Sequence, residues 1–197
     1  MAELYAIVDS PQRARFMLEA GVSLVQFRLK SSPLAPHIGE ISALTREFPA
    51  SRIIINDDLE FALKAGAWGV HLGQEDLARY NPGELLSTPL RLGISTHSDE
   101  EIGYALSFRP EMLGFGPIFS TSTKELAYRP QGVARLREVV AKSPLPVVAI
   151  GGIDRSNMKA VAATGVAMVA MIGFLDNLSE KEQVKDVVKT LRDCVQK

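Results

Sequence analysis

The sequence has little cysteine, little net charge and no long apolar segment, and each shortage excludes a class of protein. Its only cysteine is Cys194, so neither an intrachain disulfide nor a thiolate metal cluster can form. The net charge of −1 gives no general attraction to nucleic acid or to an anionic membrane. No apolar run approaches the roughly 18–20 residues of a membrane span, and Met1–Ser10 lacks the features of a cleavable leader. We therefore expect a cytoplasmic protein without nucleic-acid or membrane partners.

What the sequence does have is an alternation of apolar strands and helices. The 197 residues are 46% hydrophobic, which is enough for one core, and we expect a single domain over residues 1–197. Most strand–helix repeats take about 20 residues, near the small end for a parallel eight-stranded barrel. The predicted strands are Leu4–Val8, Leu24–Phe27, Ile53–Ile55, Trp68–Leu72, Leu90–Ile94, Met112–Phe115, Pro146–Ile150 and Val166–Ile172.

Two α/β architectures fit this alternation. A doubly wound open sheet is one of them, and it requires edge strands. The predicted strands are nearly all continuous apolar runs, which is typical of strands buried on both faces. The pattern therefore favours a single-domain (β/α)8 TIM barrel, whose active site lies at the carboxyl ends of the strands.

Two neighbouring predicted strands end in carboxylates. Asn56 and Asp57 follow the strand Ile53–Ile55, and Asp76 follows the next strand. Because consecutive parallel strands end side by side, Asp57 and Asp76 should face one mouth. Together with the amide of Asn56 they suit a hard divalent cation. The alternative is that the acids of this stretch, Asp58 included, are helix caps and first-turn acids.

Cations, hydroxyls and glycines follow the other strands. In this fold, turns after the last two strands commonly hold a phosphate on backbone amides. Cations beside carboxylates suggest a polyphosphate whose charge is shared between a metal ion and basic side chains. The positions are Arg28 and Lys30 after strand two, Ser95 after strand five, 120–124 after strand six, Gly151 and Gly152 after strand seven, and Ile172 and Gly173 after strand eight.

Six collinear motifs cover nearly the whole chain. They are V-Q-F-R-L-K at 25–30, N-D-D at 56–58, H-L-G-Q-E-D at 71–76, G-I-S-T-H at 93–97, G-P-I-F-S-T-S-T-K at 116–124 and A-I-G-G-I at 149–153. Together they resemble the thiamine phosphate synthase family. The resemblance implies a transferase of thiamine biosynthesis, which joins a hydroxymethylpyrimidine diphosphate to a thiazole phosphate, or its carboxylated form, and releases pyrophosphate. It implies Mg²⁺ as the cofactor and two small phosphorylated substrates, and it leaves a homo-oligomer open.

The resemblance also implies roles for individual residues. The catalytic set is Arg28, Lys30, Ser95 and Lys124, and the metal ligands are Asp57 and Asp76. The pyrimidine diphosphate would be held by Gln26, Phe27, Arg28, Leu29, Lys30, Asn56, Ser95 and Lys124. The thiazole phosphate would be held by Thr121, Ser122, Thr123, Gly152, Ile172 and Gly173.

Two positions depart from the family pattern. Leu29 stands where many members have a glutamate, and Gly173 stands where a serine often supplies a hydroxyl. Side chains alternate along an extended segment, so Leu29 should point away from Arg28 and have little consequence. Gly173 keeps its backbone amide, and the missing hydroxyl can weaken phosphate binding.

The implied reaction needs no nucleophile from the protein. Negative charge grows on the departing diphosphate, where magnesium and the cations are expected, and the resemblance favours dissociative displacement followed by capture by the thiazole nitrogen. His71 and His97 are acid–base candidates, but His71 lies within a strand and is expected to pack or line the substrate. The alternatives are a thiazole tautomerase of the same barrel family, which would need an acid–base residue instead of a metal site, and a non-catalytic phosphometabolite-binding protein.

Overall fold

Eight parallel strands close into a barrel. The structure, a computed structural model, describes residues 1–29, 33–121 and 128–194. Each strand pairs in parallel with the next one along the chain, and the last pairs with the first, so the sheet has no edge. The predicted (β/α)8 barrel is confirmed, and the doubly wound open sheet is wrong. The strands are β1 (Glu3–Val8), β2 (Leu24–Phe27), β3 (Arg52–Asn56), β4 (Gly69–Leu72), β5 (Arg91–Thr96), β6 (Met112–Phe115), β7 (Val147–Ile150) and β8 (Met168–Met171).

Helices connect the strands and pack on the outer surface of the barrel. None of the helices in the described ranges is long and apolar enough to cross a membrane. A 3₁₀ turn at Ala35–His37 leads into α2. In those ranges the helices are α1 (Pro11–Glu19), α2 (Ile38–Glu47), α3 (Leu59–Ala65), α4 (Gln74–Leu77), α5 (Pro82–Leu86), α6 (Asp99–Leu106), α7 (Gly132–Lys142), α8 (Met158–Ala162), α9 (Gly173–Asp176) and α10 (Lys181–Asp193).

Alternate residues of each strand pack on opposite sides of the barrel wall. Tyr5 and Ile7 of β1 belong to an inner apolar cluster, and Ile54 of β3 joins them there. Leu4 and Val8 belong to a larger outer cluster beneath the helices. Both faces of the strands are therefore apolar, which explains why they occur in the sequence as continuous apolar runs.

The same alternation directs functional side chains inward at the strand ends. Leu24 of β2 lies in the inner cluster, and Gln26 and Arg28, two and four residues later, line a cavity. On β3, Asn56 follows the inward Ile54 in the same way. Because every second side chain of a strand faces inward, the inward side chains of β2 and β3 change from apolar in the barrel interior to polar at the carboxyl end.

Two helix starts differ from what their sequences predict. The S-x-x-E spacing at Ser98–Glu101 predicts a reciprocal capping box. Ser98 Oγ accepts from Glu101 N at 3.2 Å, but the Glu101 carboxylate accepts from His97 N at 2.7 Å instead of from Ser98. Asp154, which the sequence predicts as a helix cap, accepts from Ser156 N at 2.7 Å in a turn, and α8 begins only afterwards.

Candidate active site

A cavity of about 600 Å³ lies at the carboxyl ends of the strands. This volume falls within the range of small-molecule sites, roughly 300–1,000 Å³. The location agrees with that of active sites in parallel barrels. The lining includes Tyr5, Ile7, Gln26, Arg28, Asn56, Asp57, His71, Gln74, Asp76, Ser95, His97, Thr121, Tyr128, Gly151, Gly152, Ile172, Gly173 and Asn177.

One wall, at the ends of β3 and β4, carries two facing carboxylates. Asp57 has a φ of 64°, which is uncommon for a residue other than glycine, and its N–H donates to the carbonyl of His71 at 2.8 Å. Asn56 Nδ2 donates a hydrogen bond to the Asp57 carboxylate. Asp76, in the first turn of α4, lies close enough to Asp57 for the two side chains to interact by charge and by a hydrogen bond. The structure therefore brings the two predicted metal ligands together.

The alternative interpretation of these acids as helix caps and first-turn acids holds for Asp58 and Asp76 but not for Asp57. Asp58 Oδ1 accepts from Phe61 N at 2.8 Å and caps α3. Asp76 lies inside α4, after an N-cap at Gly73, and its Oδ1 is 3.2 Å from Nη1 of the exposed Arg79. The two adjacent aspartates thus have different roles, because Asp58 caps α3 and Asp57 lines the cavity.

The charges on this wall perturb each other. Partial burial, reinforced by the facing carboxylate of Asp76, raises the pKa of Asp57 to about 6, although Arg28 and Asn56 act in the opposite direction. Burial lowers the pKa of Arg28, and Asp57 opposes that change. The guanidinium still remains charged at neutral pH. Two acids that repel each other therefore lie beside a partly desolvated cation, and a further cation between the acids would relieve the repulsion.

Buried polar side chains line the cavity inside the barrel. Gln26 Nε2 donates to the Tyr5 hydroxyl at 2.6 Å. His71 Nε2 lies 3.0 Å from Ser95 Oγ, and Gln74 Nε2 donates to the Ser95 carbonyl at 2.6 Å. These bonds fix Ser95 from both its side chain and its backbone, so its hydroxyl is held at a defined place in the cavity.

His71 is a neutral lining residue in this environment. Burial, assisted by the positive charge of Arg28, lowers its pKa to about 4. Its Nδ1 is buried without a hydrogen-bond partner in the described part of the chain. A Cβ at Gly93 would lie only 2.5 Å from that atom, so the glycine makes room for the ring. At neutral pH the imidazole can accept or donate a hydrogen bond but carries no acid proton to give.

Glycines after β7 form the wall across the barrel from the acids. Gly151 and Gly152 have φ of 102° and 63°, in the region that favours glycine. A Cβ at Gly151 would lie 2.6 Å from Pro117 Cβ, and one at Gly152 would lie 2.8 Å from Phe119 Cβ. Phe119 N donates to the Gly151 carbonyl at 3.0 Å. The glycines therefore allow the segment after β6 to pack directly on the turn after β7.

Two residues of this wall that line the cavity have backbone amides available for a ligand. The amides of Gly152 and Gly173 donate no hydrogen bond to any residue that the structure describes. Gly173 begins the single-turn helix α9 and does not have positive φ, so its conformation is open to other residues. Strands seven and eight lie across the eight-stranded barrel from strands three and four. These donors therefore face the wall that carries Arg28, Asp57 and Asp76, which we call the acid-and-cation wall.

A stacked aromatic pair on the rim was not predicted from the sequence. The rings of His97 and Tyr128 are parallel within 3°, with centroids 3.9 Å apart. Glu101 accepts from the Tyr128 hydroxyl at 3.0 Å and lies 2.8 Å from His97 Nδ1. Gln131 Nε2 donates to the His97 carbonyl at 2.9 Å. The network ties residues 128–131 to the end of β5.

Most predicted site residues that the structure describes line the cavity, but Phe27 and Leu29 do not. Both pack against the outer apolar cluster, because alternation on β2 turns them away from Gln26 and Arg28. The outward direction predicted for Leu29 is thus confirmed. The predicted contact of Phe27 and Leu29 with the pyrimidine diphosphate stays a prediction, which only their backbone can meet. Lys30, Ser122, Thr123 and Lys124 lie outside the described residues. Those that line the cavity are Gln26, Arg28, Asn56, Asp57, Asp76, Ser95, Thr121, Gly152, Ile172 and Gly173.

Comparison with known proteins points to one family. Residues 4–175 match the family described as thiamine monophosphate synthase. A thiamine-phosphate synthase from Neisseria meningitidis serogroup A is 39% identical over 194 residues, covering 97% of this chain and 95% of that protein. Another from Escherichia coli O157:H7 is 40% identical over 181 residues, covering 90% of this chain and 85% of that protein. The solved structure of thiamine phosphate pyrophosphorylase from Pyrococcus furiosus matches with a TM-score of 0.84 and 29% identity, over 98% of this chain and 96% of its own.

The perturbed acid gives a prediction about stability. Because folding raises the pKa of Asp57 from 3.8 to about 6, the stability that it contributes is fully present below the lower value and is lost as pH rises through the higher one. Asn cannot ionise and tolerates a positive φ. Without added metal, Asp57→Asn should therefore raise the free energy of unfolding at about pH 8, by on the order of 1 kcal/mol once solvent screening of this partly exposed group is included.

Urea unfolding at about pH 4 and about pH 8 measures the effect. Asp58→Asn is the matched control, because Asn caps a helix as well as Asp does and no facing carboxylate is relieved. If Asp57→Asn raises the free energy of unfolding equally at both pH values, or does not raise it at the higher one, the repulsion between the acids is contradicted.

Proposed function

This chain belongs to the thiamine monophosphate synthase family, and from that premise we propose how its barrel mouth makes thiamine phosphate. The protein is a transferase that joins a hydroxymethylpyrimidine diphosphate to a thiazole phosphate and releases pyrophosphate. The observation that carries the proposed mechanism is the division of one cavity into two walls. Acids and a cation lie at the ends of β3, β4 and β2, and glycine amides lie across from them at β7 and β8.

We place the pyrimidine diphosphate against the acid-and-cation wall. The Arg28 guanidinium offers paired donors that match phosphate oxygens, and its partial burial strengthens such a contact. Asn56 projects beside it from the next strand. Gln26 and Ser95 lie further into the barrel, where their amide and hydroxyl groups suit the nitrogen atoms of the aminopyrimidine ring.

The carboxylate oxygens of this wall are donor atoms that suit magnesium. Asp57 and Asp76 face each other, and the pKa of Asp57 is raised first by burial and then by repulsion from Asp76, which a divalent cation would remove. No group of three His, Cys, Asp or Glu residues converges among the residues that the structure describes. Two carboxylates, with water and diphosphate oxygens completing the shell, are a common way for proteins to hold Mg²⁺. When bound, magnesium supplies positive charge where negative charge grows on the leaving diphosphate.

The residues of the chain then act by position and charge. As the bond between the pyrimidine methylene carbon and the diphosphate oxygen breaks, Arg28 is already placed to hold the leaving group, so little reorganisation is needed. The aminopyrimidine ring carries the positive charge left on the methylene carbon. The thiazole nitrogen forms the new bond from the opposite wall, where amides of Gly152 and Gly173 anchor its phosphate. His71, neutral at physiological pH, lines the cavity and transfers no proton.

Several assignments extend this mechanism and stay predictions. Lys30 and Lys124 add positive charge for the diphosphate, and Ser122 and Thr123 join Thr121 around the thiazole phosphate. Ile172 contributes through its backbone. A single domain over residues 1–197, a cytoplasmic location and the absence of nucleic-acid or membrane partners likewise stay predictions.

Turnover of the two substrates with and without magnesium tests the proposed mechanism. We expect thiamine phosphate and pyrophosphate in equal amounts, and loss of both when the metal is chelated. A thiazole tautomerase would convert the thiazole phosphate without the pyrimidine or the metal. A non-catalytic binding protein would bind phosphorylated ligands and form no product.

The paired acids should be essential for turnover. Asp57→Ala and Asp76→Ala should each lower kcat by on the order of a hundredfold or more. Each removes a proposed ligand of the magnesium ion, whose positive charge would stabilise the leaving diphosphate. Both should stay folded by circular dichroism, since cavity-facing positions at strand ends lose no core packing. Asp58→Asn is the control and should keep near-normal turnover. Unchanged activity and unchanged magnesium dependence in both alanine variants would contradict the assignment of Asp57 and Asp76 as metal ligands.

Gly173→Ser should modestly tighten binding of the thiazole phosphate. The φ of Gly173 lies outside the left-handed region that would strain serine, and the added hydroxyl can donate one more hydrogen bond. Such a bond to a charged group contributes roughly 1.5–3 kcal/mol when water cannot replace it, and less at an open mouth. The KM for the thiazole phosphate should fall, and the KM for the pyrimidine diphosphate should stay the same.

Gly152→Ser is the matched control for this experiment. Its Cβ would lie 2.8 Å from Phe119 Cβ and its φ is 63°, so serine there should weaken binding. A change at Gly173 that is confined to the pyrimidine diphosphate would mean that the two phosphate sites are assigned the wrong way round.

A further inference from the structure

Helix α9 places the amide that is proposed to hold the thiazole phosphate, yet it is only one turn long. It runs from Gly173 to Asp176, and its first residues line the cavity. Isolated helices shorter than roughly 12–15 residues are marginal in water. The position of α9 must therefore come from contacts with other parts of the protein.

Arg13 of α1 makes such a contact at the far end of the turn. Its Nη2 donates to the carbonyl of Leu175 and, at 2.8 Å, to the carbonyl of Leu178. A cation near the carbonyls at the end of a helix is favourable, and the Leu175 carbonyl also accepts from Leu178 N at 2.9 Å. One guanidinium thus joins α1 to the connection between β8 and α10 across a sequence separation of more than 160 residues.

The arginine is itself held firmly. Its backbone N–H donates to Ser10 Oγ at 3.3 Å, which caps α1. Its guanidinium carbon lies 4.7 Å from the centre of the Phe16 ring. Arg13 Nε is buried and has no hydrogen-bond partner among the described residues. Burying an unpaired N–H costs stability, so we expect the arrangement to serve something other than stability alone.

An acidic group on α9 lies close enough to the guanidinium to interact with its charge. Asp176, on the same turn, has a pKa raised by burial and by Asp9, and Arg13 lowers it. Arg13 thus contacts α9 through carbonyls and influences it through charge. Neither contact reaches the cavity, so any effect on the reaction must pass through the position of the turn.

We propose that Arg13 is a positioning residue, which fixes α9 so that the Gly173 amide meets the thiazole phosphate. The inference rests on the proposed assignment of that phosphate to the wall of Gly152 and Gly173. Without the guanidinium the turn can shift, and a small displacement of a donor is enough to weaken a phosphate contact. The pyrimidine diphosphate, on the opposite wall, should not sense the change.

Steady-state kinetics of Arg13→Lys and Arg13→Ala, with each substrate varied in turn, test this proposal. We expect KM for the thiazole phosphate to rise by on the order of tenfold, with KM for the pyrimidine diphosphate unchanged. Guanidinium chloride at millimolar concentration should partly restore Arg13→Ala, because the ion can occupy the vacated place beside Phe16. Arg15→Ala is the control, since Arg15 lies on the same helix but pairs with Glu47 at the surface.

A purely structural role would lower the unfolding temperature without separating the two KM values, and guanidinium would not rescue it. Equal changes in both KM values, or none in either, would overturn the proposal. Calorimetric titration with the thiazole phosphate alone gives a second readout that requires no turnover. If the wild-type chain binds this ligand but forms no thiamine phosphate, the proposed mechanism fails, and the affinities of the Arg13 variants still decide the role of Arg13.

Discussion

Closure of the parallel barrel is the constraint on which the rest of the site depends. Pairing of β8 with β1 brings eight strand ends to one rim, and alternation within each strand sends every second side chain inward. On β2, Leu24, Gln26 and Arg28 occupy successive inward positions, and they contribute in turn to the apolar interior, the polar lining and the charged wall. A register shift of one residue would exchange Arg28 for Leu29 and remove the cation from the cavity.

The site concentrates groups that a protein selected only for stability would avoid. Asp57 faces another carboxylate, Arg28 is partly desolvated, and His71 buries an unpaired Nδ1. Each arrangement is unfavourable alone, and in the proposed mechanism the charged ones become useful when the diphosphate and its cation bind. The two apolar layers on either side of the barrel wall supply the stability that offsets these costs. In the proposed mechanism, separation of the two walls keeps the two phosphates apart while the reacting atoms of the two substrates meet between them.

The barrel and the position of its mouth could be predicted because they follow from local patterns. The continuous apolar run at Ile53–Ile55 indicates a strand buried on both faces, and the residues after it must then lie on the rim. The sequence predicts Asp57 at the mouth, but the backbone bend that directs Asp57 to the cavity and Asp58 to α3 depends on pairing with β4 and could not be predicted. Tyr5 resembles a core residue in its strand. Tyr128 lies in an aperiodic stretch, and only tertiary contacts with His97 bring it to the rim.

A crystal structure with both products and magnesium would show directly whether the two walls hold different phosphates. Pyrophosphate should lie against Arg28, with the metal ion between Asp57 and Asp76. The phosphate of thiamine phosphate should lie across the cavity on the amides of Gly152 and Gly173. Pyrophosphate on the amides of Gly152 and Gly173, or a metal ion that contacts neither aspartate, would contradict this division of the cavity.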